Sequence, residues 1–197
     1  LLSLVLGSST YSFAVMVAAF ISGIALGSLI VARRMERIAS PAVWFGLCQT
    51  GIGLAVLAML PLYSRLPLFF VASRGVINFS YGANEAFKFL VCLTVMLVPT
   101  TLFGMGFPLV SRLAAVSRQR LAGRIGNVYA LNTAGNILGA ALGGLVLIPL
   151  LGLKTTLESA AALNLLTGVS LLAALGPHRR QLARRALIVS AAGAVLY

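Results

Sequence analysis

The sequence predicts an all-α fold, a polytopic transmembrane helical bundle, and three observations predict it. Of the 197 residues, 60% are apolar and only 9% charged, whereas a soluble domain carries roughly 25% charged residues. Mean hydropathy is +1.03. Apolar runs long enough to cross a hydrocarbon core of ~30 Å, about 20 helical residues each, recur along the chain. They do not alternate with period 2, and open sheet edges are not tolerated in lipid, so they are helices.

Five segments reach spanning length: 9–32, 41–62, 86–110, 128–151 and 155–176. Leu1–Gly7 reads as the end of a further apolar segment, and Ala186–Tyr197 begins another too short to cross. Partial spans are therefore expected at both ends of a single transmembrane domain, 1–197. The chain itself is expected to be a fragment, or the ordered part of a longer polypeptide. Connection 63–84 is long, mostly apolar and broken by Pro67, Gly75 and Gly82, which predicts two short interfacial or re-entrant pieces. A tight turn at 151–154 should join the last two full spans.

Charge sets the topology. Fifteen Lys and Arg stand against three Glu and no Asp, a formal net charge of +12. Arg33, Arg34 and Arg37 follow the first span, Arg112, Arg118, Arg120 and Arg124 the third, and Arg179, Arg180, Arg184 and Arg185 the fifth. These alternate connections hold 11 of the 15 basic residues. The positive-inside rule puts 33–40, 111–126 and 177–185 on the cytoplasmic side. No single soluble face collects the charges, so nucleic acid is not the expected partner. Anionic lipid headgroups are, with Arg33, Arg34, Arg37, Arg179, Arg180, Arg184 and Arg185 as their contacts. Trp44, Tyr63 and Tyr81 fall near span ends, where an aromatic belt sits.

The same scarcity of polar residues argues against catalysis. Three carboxylates, one histidine and two cysteines leave few acid–base or metal constellations. His178 has no second His or Cys nearby to complete a metal site, and no cofactor is expected. Cys48 and Cys92, inside apolar runs, read as reduced small hydrophobic side chains. Glu158 closes a Thr155-x-x-Glu158 capping box at the start of the fifth span. Glu85 and Lys88 can pair at i, i+3, and Glu36 is a solvated partner of the arginines around it. Gln49-Thr50 and Asn164/Thr167 read as interhelical hydrogen-bonding pairs.

Glycine and proline mark where helices should meet or bend. Gly135, Gly139 and Gly143 recur every four residues on the fourth span, and Gly23 and Gly27 repeat that spacing on the first. Small residues so spaced let two backbones approach closely, so both stripes predict helix–helix contacts. Asn132 and Asn136 lie near the first stripe. On the third span, Pro99 and Pro108 remove the donors that Val95 and Gly104 would use, predicting a kink or partial unwinding. Thr100 and Thr101 could satisfy the freed carbonyls. If a polar pathway crosses the bundle, Asn132, Asn136, Thr100 and Thr101 are its expected lining.

Three stretches carry a family resemblance: GSSTYSFAVMVAAFISGIALGSLI at 7–30, VPTTLFGMGFPLVSRL at 98–113 and GNVYALNTAGNILGAALGGLVLIPLLGL at 126–153. Together they resemble the membrane portion of bacterial spermidine synthase-like integral membrane proteins, the fused major-facilitator/spermidine-synthase family. The resemblance implies a transporter-like helical bundle in the bacterial inner membrane, preceding a soluble aminopropyltransferase-like domain. That domain's Gly-rich loop and acidic residues have no counterpart here, so nothing catalytic carries over. The expectation is a non-catalytic membrane domain serving as transporter-like module or scaffold, packed against other membrane helices or subunits. The alternative is an accessory structural subunit of a larger membrane complex.

The topology is open to a direct test. In intact cells, Glu36→Cys and Arg118→Cys should be shielded from an impermeant thiol reagent, while Asn78→Cys should label. The reverse pattern would invert the bundle.

Overall fold

The computed structural model describes residues 10–74, 81–115 and 121–175. Helix α1, Thr10–Arg34, ends with Arg33 and Arg34 in its last turn, where cations complement the helix dipole. A 3-10 turn, Met35–Arg37, follows. Pro41, preorganised for a first helical position, opens α2, Pro41–Arg74. Next come α3, Tyr81–Ala114, and α4, Leu121–Ala141. A six-residue π-helical segment, Leu142–Leu147, leads into α5, Ile148–Ala174. The described residues contain no strand, so the fold class is all-α.

Four stretches are long and apolar enough to cross a membrane: Phe13–Arg37, Pro41–Pro61, Phe89–Ala114 and Ile125–Ala174. The last has 50 residues and would run about 75 Å if straight, more than twice a hydrocarbon core. It is not straight. Gly152 adopts φ 78°, ψ 163°, a region open essentially only to glycine. The break sits inside the expected 151–154 turn, and Thr156 Oγ1 donates to the Gly152 carbonyl at 2.8 Å. The two arms do not pack along each other. The π segment lies just before Pro149, whose missing N–H leaves Leu145 without its usual donor.

Three expectations need correction. Residues 63–74 continue α2 instead of forming a separate interfacial piece, since Pro61 and Pro67 are absorbed within one helix. Helix α3 likewise stays helical through Pro99 and Pro108. Its freed Gly104 carbonyl is taken up by a neighbouring helix, as described below. Glu158 does not close a capping box. It pairs with Lys154 at 3.7 Å, one turn away on the exposed side, because the helix restarts directly after Gly152, which puts Thr155 inside the first turn and not at the N-cap.

Packing runs in the order α1–α3–α2–α5 across the bundle. At the α1/α3 crossing, a methyl group on Gly104 would sit 2.7 Å from Ile24 Cα, and one on Gly27 2.9 Å from the Thr101 carbonyl carbon. A methyl on Gly23 would lie 2.7 Å from Thr100 Cβ. Only glycine lets the two backbones meet there. A second close crossing joins α2 and α5, with Gly53 against Ala161 and Leu165, and Gly168 against Thr50. Helix α4 leans on α3 near its start, where Phe107 and Tyr129 meet edge-on at 4.6 Å. Leu1–Gly7, Arg118, Arg120, His178, Arg179, Arg180, Arg184, Arg185 and Ala186–Tyr197 lie outside the described residues. So do the side chains of Tyr63, Tyr81, Glu85, Lys88 and Arg124.

The α1/α3 crossing generates a paired prediction. Gly104→Ala forces a methyl into the Ile24 backbone, and overpacking of this kind costs about 1–3 kcal/mol. Gly106→Ala, two residues away, meets only the Phe45 ring at 3.6 Å and should be tolerated. Thermal unfolding in detergent should separate the two; equal midpoints would refute the close crossing.

Candidate functional site at the basic end

Helix direction and packing bring Arg33, Arg34, Arg37 and Arg112 to one end. Parallel contacts between α1 and α3 end with Arg112 Nη1 donating to the Met35 carbonyl. Antiparallel contacts between α2 and α5 set Gly46 beside Leu172, so the C-terminal end of α5 lies at that end too. Arg33, Arg34, Arg37 and Arg112 therefore share one end with the C-terminal end of α5. Lys154 and Glu158 lie at the other. The basic end is held by Val31, Ile38, Cys48 and Leu109, with Trp44 and Phe45 packed on them. Trp44, expected in an aromatic belt, thus packs on this cluster. Cys48 Sγ sits 3.8 Å from Met105 Sδ, and both Cys48 and Cys92 are buried free thiols.

Where α4 leans away from α3, a groove of about 530 Å³ opens at the basic end. Its apolar walls are Met35, Phe107, Pro108, Ala115, Ile125 and the ring of Tyr129. Its polar groups are Glu36, Ser111 and Arg112. Ser111 Oγ is buried and has no hydrogen-bond partner among the described residues, a costly state for a hydroxyl. The Arg112 guanidinium carries five N–H donors, one of them engaged by Met35. An unpartnered hydroxyl and a partly engaged guanidinium can together hold an oxyanion, and Glu36 adds one acceptor for a cation. Sequence reading assigned no role to Ser111 and named Arg112 only as a topological charge. Their adjacency after the Pro108 turn was the available signal.

The four residues expected to line a polar pathway are not brought together. Thr100 is buried in the α1/α3 crossing, and its hydroxyl donates to its own helix, to Met96 O at 2.7 Å and Leu97 O at 3.4 Å. It therefore leaves the Val95 carbonyl alone. Thr101 presents its backbone to Gly27. Asn132 and Asn136 are exposed on α4, and no hydrogen bond joins them to either threonine. The Gly104 carbonyl freed by Pro108 is met instead by Ser28 Oγ at 3.0 Å, a donor reached across the helix contact and not foreseen from sequence. Thr50, Asn164 and Thr167 also bond back to carbonyls of their own helices, not across helices as expected.

The glycine stripes part company. Gly23 and Gly27 lie at a close crossing, whereas a methyl on Gly135, Gly139 or Gly143 would meet nothing within 4 Å. The expected contact at the Gly135/Gly139/Gly143 stripe is not made within the described residues. The reason is geometric: α4 touches α3 only near Tyr129 and then diverges, leaving Leu131 73% and Leu145 78% exposed. No family model matches the chain, and neither a curated protein nor a solved structure matches it.

The Ser28 bond predicts a coupling. Ser28→Ala strips the Gly104 carbonyl of its donor and should cost about 0.6–2 kcal/mol. Pro108→Ala restores an N–H at the position that reaches Gly104 within α3, so Ser28→Ala should cost clearly less in that background. A double-mutant cycle on unfolding free energies reads the coupling, and strict additivity would show that Ser28 does not compensate for Pro108.

Proposed function

We propose that this chain is the non-catalytic membrane domain of a spermidine synthase-like integral membrane protein, working as a scaffold that binds further transmembrane helices through α4. In this reading the basic end faces the cytoplasm of a bacterial inner membrane and holds the attached machinery close to the bilayer. The observation that carries it is the contrast between two glycine-bearing faces. The Gly23/Gly27 face is filled by α3, while Gly135, Gly139 and Gly143 are open. Beside them Asn132 and Asn136 are exposed, and their amides have no hydrogen-bond partner among the described residues. Lipid tails cannot satisfy an amide, and a bare glycine face gives up the packing that drives helix association in a bilayer. A partner helix meets both needs, from the same polypeptide or from another subunit of a membrane complex.

The test uses the full-length protein in its native membrane. Gly139→Leu should leave helix content and thermal stability unchanged, because none of the described residues touches that face. It should also release the chain from its larger assembly on native gels. An unchanged assembly refutes the scaffold reading. Uptake of labelled spermidine into proteoliposomes should not exceed that of empty vesicles. Uptake that falls with Asn136→Leu would replace the scaffold with a transporter.

A further inference from the structure

The geometry points to a phospholipid site in the basic-end groove, selective for a headgroup that carries both a phosphate and a primary amine. The proposal is independent of what binds the open face of α4. It begins with the charge layout. Arg112 keeps guanidinium donors beyond the one given to Met35, and Ser111, which lines the same groove, has a buried Oγ without a partner among the described residues. A phosphate can accept from both, and charge-assisted bonds of this kind are the strong ones. Arg33, Arg34 and Arg37 on the adjoining turn reinforce the positive potential that draws a phosphate in.

Glu36 then decides which phospholipid. It lines the same groove and is the one carboxylate at this end among the described residues; Glu158 lies at the far end. A purely anionic headgroup would leave Glu36 facing like charge. A quaternary ammonium would offer it charge but no N–H donor. A primary ammonium gives the carboxylate both charge and hydrogen bonds. The apolar walls supply the rest of the fit. Phe107, Tyr129 and Ile125 flank the opening between α3 and α4, where acyl chains of the bound lipid can lie against apolar surface. The volume, about 530 Å³, is within the range of specific small-molecule sites.

The full chain in nanodiscs holding equal phosphatidylethanolamine, phosphatidylcholine and phosphatidylglycerol tests this, with retained lipid counted by native mass spectrometry. Phosphatidylethanolamine should be retained about three- to fivefold over the other two, the worth of one ion-paired hydrogen bond at an exposed carboxylate. Glu36→Gln, at an exposed position, should abolish the advantage over phosphatidylcholine with the fold intact. Ser111→Ala should lower retention of all three lipids severalfold. Equal retention by the wild type, a preference for phosphatidylglycerol, or an unchanged preference in Glu36→Gln would each overturn the proposal. So would displacement of the bound lipid by glycerophosphoethanolamine at equal concentration, since that would show the apolar walls contribute nothing.

Discussion

The backbone-to-backbone crossing of α1 and α3 is the contact on which the rest of this structure depends. Inside a bilayer, apolar side chains gain little by leaving lipid for one another, so helices associate through close packing and polar bonds. Gly23, Gly27 and Gly104 remove the side chains that would hold the two axes apart. Ser28 then donates across the gap to the Gly104 carbonyl. One locus therefore supplies both forces available to a membrane helix pair. It also lets α3 carry Pro108 without unwinding, because the carbonyl that the proline frees already has a donor.

From that crossing the bundle extends in one direction only. Helix α3 also meets α2, and α2 meets α5 through a second glycine contact at Gly46, Gly53 and Gly168. The parallel pair and the antiparallel pair together bring Arg33, Arg34, Arg37, Arg112 and the C-terminal end of α5 to a single end. The Arg112 bond to Met35 and the cluster around Leu109 close that end. Helix α4 stands apart from this row. It has one ring contact with α3, a π-helical stretch, and then the Gly152 break before α5 returns to α2.

The two proposed surfaces follow from this asymmetry. A helix that leaves the bundle after one contact uncovers two things at once. Its far part bares small residues and amides, which suit another helix. Its near part opens a wedge beside Arg112, Ser111 and Glu36, which suits a lipid headgroup. The chemistry of each surface is set by its depth: amides and glycines lie along the span, and charges lie at its end.

The sequence by itself determined the all-α class, the apolar stretches long enough to span and the separation of Arg33, Arg34, Arg37 and Arg112 from Lys154 and Glu158, because hydropathy over about 20 residues and charge between spans are local properties. It also marked the 151–154 turn and the close-packing character of Gly23 and Gly27. What it could not separate were two glycine stripes of identical spacing, one buried against α3 and one open. Spacing reports what a face permits, while occupancy depends on where another helix passes. For the same reason Thr100, read as a pathway residue, is locked in a crossing, and Ser28 became the donor for a carbonyl 76 residues away. Only the tertiary structure decided which polar groups meet, because those partners are distant in the chain and their hydroxyls can equally well bond back to their own helix.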